Sequence, residues 1–384
     1  MPGRVLRIVT RLNQGGPLRQ LCALAPALVQ RGWEGPILAG RTGRHEPDGT
    51  DRLRGTGADV VRVRALARGV DPGADARAFR TILAAIRHVR PDVVHTHMAK
   101  AGALGRLAAR IAGVPAVHTY HGHHLQAPWP RDVLARRAER TLARITAAGI
   151  CLTPRQRRDL VETHRVIAGD KVHVMAPGLD VADLRRRAGA GERSRHDRPL
   201  FLWAGRFVEV KDPLGLVRAV ALSQRAFHLV MLGVGPTRAA VRRRIQAEGL
   251  QDVVSCPGAS PDIAPWLAAC DAVVLSSRSE GAPMLVVEAK VLGRPAIVTA
   301  VGGVPDLVGH GVDGWWVPPD SPRELARALD LLAADAELRE RLGRQAAVGA
   351  DQRFAAARLA DETAALYEGV CRPRRYHRRD VRGC

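Results

Sequence analysis

Lysine is nearly absent from this chain, at Lys100, Lys171, Lys211 and Lys290 only, although 59 basic residues face 38 acidic ones across 384 positions and the formal net charge is +21. The positive charge is therefore almost wholly arginine, a bias that coding composition can itself produce, and each lysine carries more information than usual. Cysteines are scattered (Cys22, Cys151, Cys256, Cys270, Cys371, Cys384), with no CxxC pair and no Cys/His cluster at zinc spacing. That excludes a disulfide framework and a zinc site as expectations and fits a reducing cytoplasm. No run of about 18 uncharged apolar residues occurs, and Arg7 interrupts the short opening run, so neither a membrane span nor a signal peptide is expected. Aromatic residues make up only 4%. That scarcity, with no recognisable binding module, weighs against nucleic acid despite the charge and the tail "RPRRYHRR". A basic nucleic-acid-binding protein stays as the competing reading from another class, and a salt-sensitive shift of DNA or RNA would reveal it.

What is present is a repeated grammar. "RVLRIVT" reads as a buried strand, "NQGGP" as a tight loop, and "LRQLCALAPALVQRG" as a helix stopped at Gly32. Strand and helix patterns then alternate through "GADVVRV", "DARAFRTILAAIRHVR", "PDVVHTH", "AGALGRLAARIAG" and "PAVHTYHG". The charged, glycine-containing stretch 184–199 interrupts this pattern, and the alternation restarts at "LFLWAGR" and runs to "PAIVTA". Such alternation predicts two doubly wound α/β domains, each a parallel sheet covered by helices.

Ligands of doubly wound sheets sit at the carboxyl ends of strands, so the loops there are the candidates. In "SEGAPMLVVEAK" (279–290), Pro283 suits a helix start just after Glu280-Gly281-Ala282. The free N–H groups of that helix end would face an anion or a hydroxyl-rich ligand, with Glu280 at the mouth and Glu288 about one turn inside. A dipole-stabilising glutamate and a solvated one would read the same way. In "GRFVEVKD" (205–212), Arg206 as a planar fork and Lys211 as a point charge suit two linked phosphates, or else form a solvated basic face.

Together with "TAVGGVPDLVGHGVDGWWVPPD" (299–320), these segments resemble the nucleotide-sugar half of the family 4 retaining glycosyltransferases, which have the GT-B fold. "NQGGPLRQL", "PDVVHTHMAKAGALGRLAARIAGVPAVHTYHG" and "APGLD" resemble that family's acceptor half, so the likeness runs from about residue 5 to 370. The resemblance implies a GT-B architecture of two Rossmann-like domains facing a central cleft. It implies that Arg206 and Lys211 hold the diphosphate and that Glu288 binds the ribose hydroxyls. Glu280 and the backbone of Gly281, Ala282, Pro283 and Met284 would hold the transferred sugar. His121 matches the histidine that reaches the donor sugar, and Gly15 and Gly16 match the glycine loop near donor phosphate and acceptor. His97 and Lys100 are acceptor-cleft candidates, a structural role near the strand end being the other reading. Ala282 replaces a larger residue often found there, Lys290 stands where methionine is usual, and His118, His123 and His124 crowd the His121 motif.

The expected domains are therefore an acceptor-binding domain (1–183), a linker (184–199), a nucleotide-sugar domain (200–350), a helix returning to the first domain (351–370) and a basic tail (371–384). The expected activity is retaining, front-face transfer from a UDP- or GDP-linked sugar to a hydroxyl of a saccharide, lipid or small metabolite. No D-x-D triplet occurs, which fits a metal-independent site without a further cofactor. Glycosyl transfer leaves negative charge on the departing diphosphate, and preorganised cations and a helix N-terminus would stabilise it. A nucleotide-sugar 2-epimerase of similar fold is the alternative enzyme. A dinucleotide oxidoreductase is disfavoured because neither half shows G-x-G-x-x-G after its first strand. The segment 131–145 could set Val133, Leu134, Ala138, Leu142 and Ile145 on one face and arginines on the other, giving a cytoplasmic protein with a helix for peripheral contact to an anionic membrane. The same helix could instead pack on the first domain with a solvated basic face.

Overall fold

Short β-branched and aliphatic runs become strands here, and the amphipathic segments between them become the covering helices. The computed structural model describes residues 3–43, 46–122, 131–189 and 198–371, with residues 131 and 132 described by backbone alone. The chain divides into two compact units, Met1–Leu179 with Ala356–Cys384, and Asp180–Ala355.

The first unit forms β1 (Gly3–Val9), α1 (Gly16–Val29), β2 (Trp33–Glu34), β3 (Ile37–Ala39), α2 (Thr50–Arg54), β4 (Val60–Arg62), α3 (Pro72–Val89), β5 (Val93–His97), α4 (Ala99–Ile111), β6 (Ala116–Tyr120), α5 (Arg131–Arg144), β7 (Ala148–Cys151), α6 (Pro154–Arg158) and β8 (Val172–Val174). Its strands lie in the order β4-β3-β1-β5-β6-β7-β8, all pairs parallel, with β2 also beside β1. Strand alternation sends Val5, Val93 and Val117 to one apolar core and Leu6, Ile8 and Val94 to the other.

The second unit forms α7 (Val181–Ala188), β9 (Leu200–Ala204), α8 (Pro213–Leu222), β10 (His228–Leu232), α9 (Arg238–Ala247), β11 (Val254–Gly258), α10 (Ala264–Ala269), β12 (Ala272–Leu275), α11 (Met284–Val291), β13 (Ala296–Thr299), β14 (Gly314–Val317), α12 (Pro322–Ala334), α13 (Ala336–Ala347) and α14 (Ala350–Arg353). Its order is β11-β10-β9-β12-β13-β14, again parallel throughout. The last helix, α15 (Ala356–Cys371), belongs to the first unit. Tyr367 meets Trp33 edge-on with ring centroids 4.9 Å apart, and Arg31 grips Asp361 through Nε at 2.6 Å and Nη2 at 3.1 Å.

Two expected boundaries shift. The stretch expected as a linker from 184 begins inside α7, which belongs to the second unit. Asp180 caps that helix by accepting from the Asp183 N–H at 2.8 Å, Leu184 and Ala188 are buried, and Arg187 bonds Asp183 at 2.7 Å and also pairs with Asp262. Carboxylate partners thus make helical what its charge suggested was linker; residues 190–197 lie outside the described part. The helix expected from 351 starts at Ala356, because 350–353 forms α14 within the second unit. Of the expected tail 371–384, all but Cys371 lies outside the described residues.

Candidate functional site

In the second unit the sheet reverses its winding between β9 and β12, the place where doubly wound sheets open a crevice at their carboxyl ends. The loop leaving β9 is pinned first. Gly205 N–H donates to the Leu232 carbonyl at 3.0 Å, Phe207 N–H to the Val234 carbonyl at 2.9 Å, and the Phe207 ring is buried against Trp203. Gly233 makes this nesting possible, since its φ is +139° and a Cβ there would stand 1.8 Å from the Gly205 carbonyl oxygen. Arg206 sits half-buried between these anchors. Lys211 ends a short 3-10 turn, and Asp212, in the left-handed region at φ 42°, caps α8 by accepting from the Gly215 N–H.

The loop leaving β12 docks on that loop. Ser276 Oγ donates to the Lys211 carbonyl at 2.9 Å and Arg278 N–H to the Val210 carbonyl at 2.8 Å. Lys211 Nζ and Ser277 Oγ both donate to Glu280 Oε1, at 2.5 Å and 2.6 Å. The loop after β13 closes the third side: Thr299 Oγ1 donates to the Ser277 carbonyl at 2.5 Å and Gly303 N–H to the Glu280 carbonyl at 3.3 Å. Glu280 is 8% exposed and Glu288 7%, so neither is a solvated surface carboxylate. Glu288 lies in α11, which Pro283 starts without any side-chain cap. Burial pushes the Arg187 guanidinium down, but Asp183, Asp262 and Glu288 outweigh it and hold its pKa above the ordinary value. Lys290, on the same buried helix, pairs with Asp313, while burial holds its ammonium below the usual lysine range.

In the first unit the same reversal falls between β1 and β5. Gly15 precedes α1 in extended conformation, and a Cβ on it would come no closer than 3.9 Å to any neighbour. No packing demand therefore explains this glycine. His97 ends β5 and is 2% exposed, and its Nδ1 lies 2.9 Å from Nε2 of half-buried His121, just past β6. Beneath them Arg7, 2% exposed, aligns in register with His95, whose ring bridges the Tyr367 hydroxyl at 2.6 Å and Thr119 Oγ1 at 2.7 Å. Burial first, then Arg7 and His121, push the His95 pKa down to about 3. Lys100 Nζ bonds Asp75 Oδ1 at 2.6 Å and the Gly69 carbonyl. The two acceptor candidates thus differ from open cleft residues, one closed on a histidine and the other tied to the start of α3. His118 bonds Thr96 through Nδ1 at 2.8 Å; His123 and His124 lie outside the described residues. Among the described residues no group of three or more His, Cys, Asp or Glu is placed to hold a metal ion, and no helix is long and apolar enough to cross a membrane.

Two family models match in tandem, Glycosyltransferase Family 4 over residues 14–183 and Glycosyl transferases group 1 over residues 186–348. The D-inositol 3-phosphate glycosyltransferase of Jonesia denitrificans is 30% identical to this chain, over 93% of it and 91% of the relative. The chain belongs to the family 4 glycosyltransferases. The alpha-D-kanosaminyltransferase of Streptomyces kanamyceticus is 32% identical over 72% of this glycosyltransferase and 77% of its own length. Among solved structures, Anabaena Alr3699/HepE in complex with UDP-glucose superposes with a TM-score of 0.77 at 19% identity, covering 96% of this chain and 100% of that one. Sucrose-phosphate synthase from Thermosynechococcus elongatus gives 0.76 at 22% identity, covering 96% and 99%. These likenesses establish the GT-B fold.

Within this glycosyltransferase the structure brings Lys211 and Glu280 into one ion pair across 69 residues of chain. Ser277, Arg278 and Thr299 join that neighbourhood, and Arg187 comes near Glu288, without having been expected. Ser277 could have been found, since it stands three residues before Glu280 in the turn that a short polar side chain closes. Arg187 could not, because its proximity depends on where α7 packs.

Proposed function

We propose that this family 4 glycosyltransferase moves a sugar, with retention of configuration and without a metal ion, from a UDP- or GDP-linked donor to a hydroxyl-bearing acceptor. The observation that carries this reading is the cluster of half-buried Lys211 on buried Glu280 and Ser277 at the β9/β12 reversal, where loops from three strands converge. An ion pair in that position is ready to be exchanged. A diphosphate attracts Lys211 away from Glu280, and the freed carboxylate oxygen accepts a hydroxyl of the sugar.

In this reading Arg206 shares the diphosphate, Glu288 takes the ribose hydroxyls, and the backbone of Gly281, Ala282, Pro283 and Met284 lies along the sugar. From the first unit, His121 contacts the donor sugar, and the small Gly15 and Gly16 leave room at the N-terminus of α1. Negative charge grows on the departing phosphate as the sugar gains oxocarbenium character, so Lys211 and Arg206 stabilise the transition state more than the ground state. Attack comes from the same face, with the leaving phosphate accepting the acceptor's proton. The relative named for D-inositol 3-phosphate puts small hydroxylated acceptors first among those to test. Leu134 on α5 is 65% exposed amid arginines, which supports peripheral contact with anionic lipid. Failure of anionic vesicles to co-sediment the protein at low salt would remove that element.

The deciding experiment is a thermal-shift panel of nucleoside diphosphates and UDP-, GDP- and ADP-sugars with EDTA present, on wild type, Lys211→Ala and Glu280→Gln. Stabilisation of wild type by one nucleotide class, lost in Lys211→Ala, is the expected result. Glu280→Gln should keep nucleotide binding and lose transfer. No response to any donor, or wild-type kinetics in either variant, would sink the assignment.

A further inference from the structure

We propose that His97 is a positioning residue that fixes the proton and the ring orientation of His121; this deepens the reading of His121 as a donor-facing residue and rests on it. Nδ1 of His97 and Nε2 of His121 lie 2.9 Å apart, so one nitrogen carries a proton and the other accepts it. Among the described residues, the other nitrogen of His97, Nε2, is buried without a hydrogen-bond partner. A buried N–H lacking an acceptor is less tolerable than a buried lone pair lacking a donor, which places the His97 proton on Nδ1. His97 therefore donates, His121 Nε2 accepts, and His121 keeps its own proton on Nδ1.

The surroundings hold His97 neutral. Arg7 from β1, His95 from β5 with its ring centroid 4.2 Å from that of His97, and His118 from β6 face it. From α15, Tyr367 backs His95. None of these groups is a carboxylate. Burial first, then His95, His121, His118 and Arg7, keep His97 well below the ordinary histidine range. The backbone fixes the ring as well. Met98 is held at φ 67°, ψ 161°, a region proper to glycine, with its carbonyl accepting from Gly102 N–H at 2.8 Å and its side chain packed on the cluster containing Leu12 and Leu18. Strain of this kind persists only where the neighbours over-determine the conformation, and here it sits directly beside His97. His121, whose Nε2 accepts this proton, is thus presented with a set tautomer and ring orientation.

Long-range nitrogen–proton spectra of the full chain labelled with ¹⁵N-histidine read each ring nitrogen without any need for activity. The expected result is protonated Nδ1 and bare Nε2 in both His97 and His121, unchanged across the neutral to mildly acidic range. Rings that both titrate as exposed histidines do would overturn the inference. In the transferase assay, His97→Phe should lower kcat about 30-fold with the donor KM nearly unchanged, and should create an acid limb where an ordinary histidine titrates. His97→Asn, whose amide can still donate, should recover most of that loss. Wild-type kcat in His97→Phe beside an impaired His121→Ala overturns the inference and leaves the reading of His121 intact. Wild-type rates in His121→Ala sink that reading and the inference with it. Equal loss in His97→Phe and His97→Asn, with no acid limb and a lowered melting temperature, reduces His97 to a structural residue and also overturns it.

Discussion

In the first unit the chain leaves β1 for β3 and β4 and returns to β5 on the other side of β1; in the second it leaves β9 for β10 and β11 and returns to β12 beside β9. Both reversals bring two loops together, and both nest a glycine after a neighbouring strand, Gly40 after β3 and Gly233 after β10. A Cβ on Gly40 would stand 2.3 Å from the Thr10 carbonyl oxygen, as one on Gly233 would stand 1.8 Å from that of Gly205. The chemistry placed there is opposite. The second unit holds a compensated charge pair, Lys211 with Glu280. The first holds a histidine pair over a buried guanidinium, with His97 held well below the ordinary histidine range by desolvation first. Topology determines where side chains converge, and loop sequence determines whether an ion pair or a histidine pair meets there.

The sharpest way to break this contrast is to remove the cation. Lys211→Met leaves Glu280 buried without its counter-ion, and we expect a stability loss of about 4 kcal/mol by urea unfolding, of which Glu280→Gln in the same chain restores more than half. A double variant no more stable than the single one would show that the pair does not hold the crevice. Next come the paired glycines. Gly233→Ala suffers both a positive φ and a carbonyl clash and should cost about 3 kcal/mol, more than Gly40→Ala, whose backbone is not left-handed. The reverse order would mean that the two nests are built differently.

Acid should then separate the units. Above the unfolded histidine pKa neither state of His95 binds a proton; below it the unfolded chain takes one up while the native site refuses it down to about 3. Stability contributed by a neutral His95 is therefore lost progressively across that window, by about 2 kcal/mol on reaching pH 5. Amide exchange corrected for intrinsic rate should show protection falling in β5 and β6 but not in β9 and β12. Uniform loss in both units would remove the distinction. The smallest effect concerns strain. The exit from β5 passes through Met98 at φ 67°, whereas no residue from Ser276 to Met284 has a positive φ. Met98→Gly should be more stable than Met98→Ala by about 1 kcal/mol, an inversion of the usual order that thermal melts can detect.

Much of the candidate site in the second unit was legible because its residues cluster in short segments. Glu280 and Pro283 sit in one loop and Arg206 and Lys211 in another, each following an apolar run whose strand character is plain. The strands β3, β7 and β8 were not anticipated, since three or four residues carry too little pattern to separate strand from loop. Arg7 was read only as an interruption of an apolar run, yet it is among the most buried side chains. Nothing local distinguishes a guanidinium facing solvent from one beneath His95. The arginines of α7 were taken for a linker for the same reason, because the carboxylates that Arg187 and Arg185 meet, Asp262 and Asp351, lie 75 and 166 residues away.

The sequence by itself determined the alternation of strand and helix, the tandem repetition of that plan, and the chemical types available at each loop, because these follow from nearest-neighbour pattern along the chain. Tertiary structure alone decided which of those groups meet. Lys211 finds Glu280 because β9 and β12 are neighbours in the sheet, and His97 finds His121 because β5 and β6 are. Tertiary packing likewise set Glu280 against Lys211 as an ion pair and pushed the His97 pKa down by burial, a property of everything around a side chain.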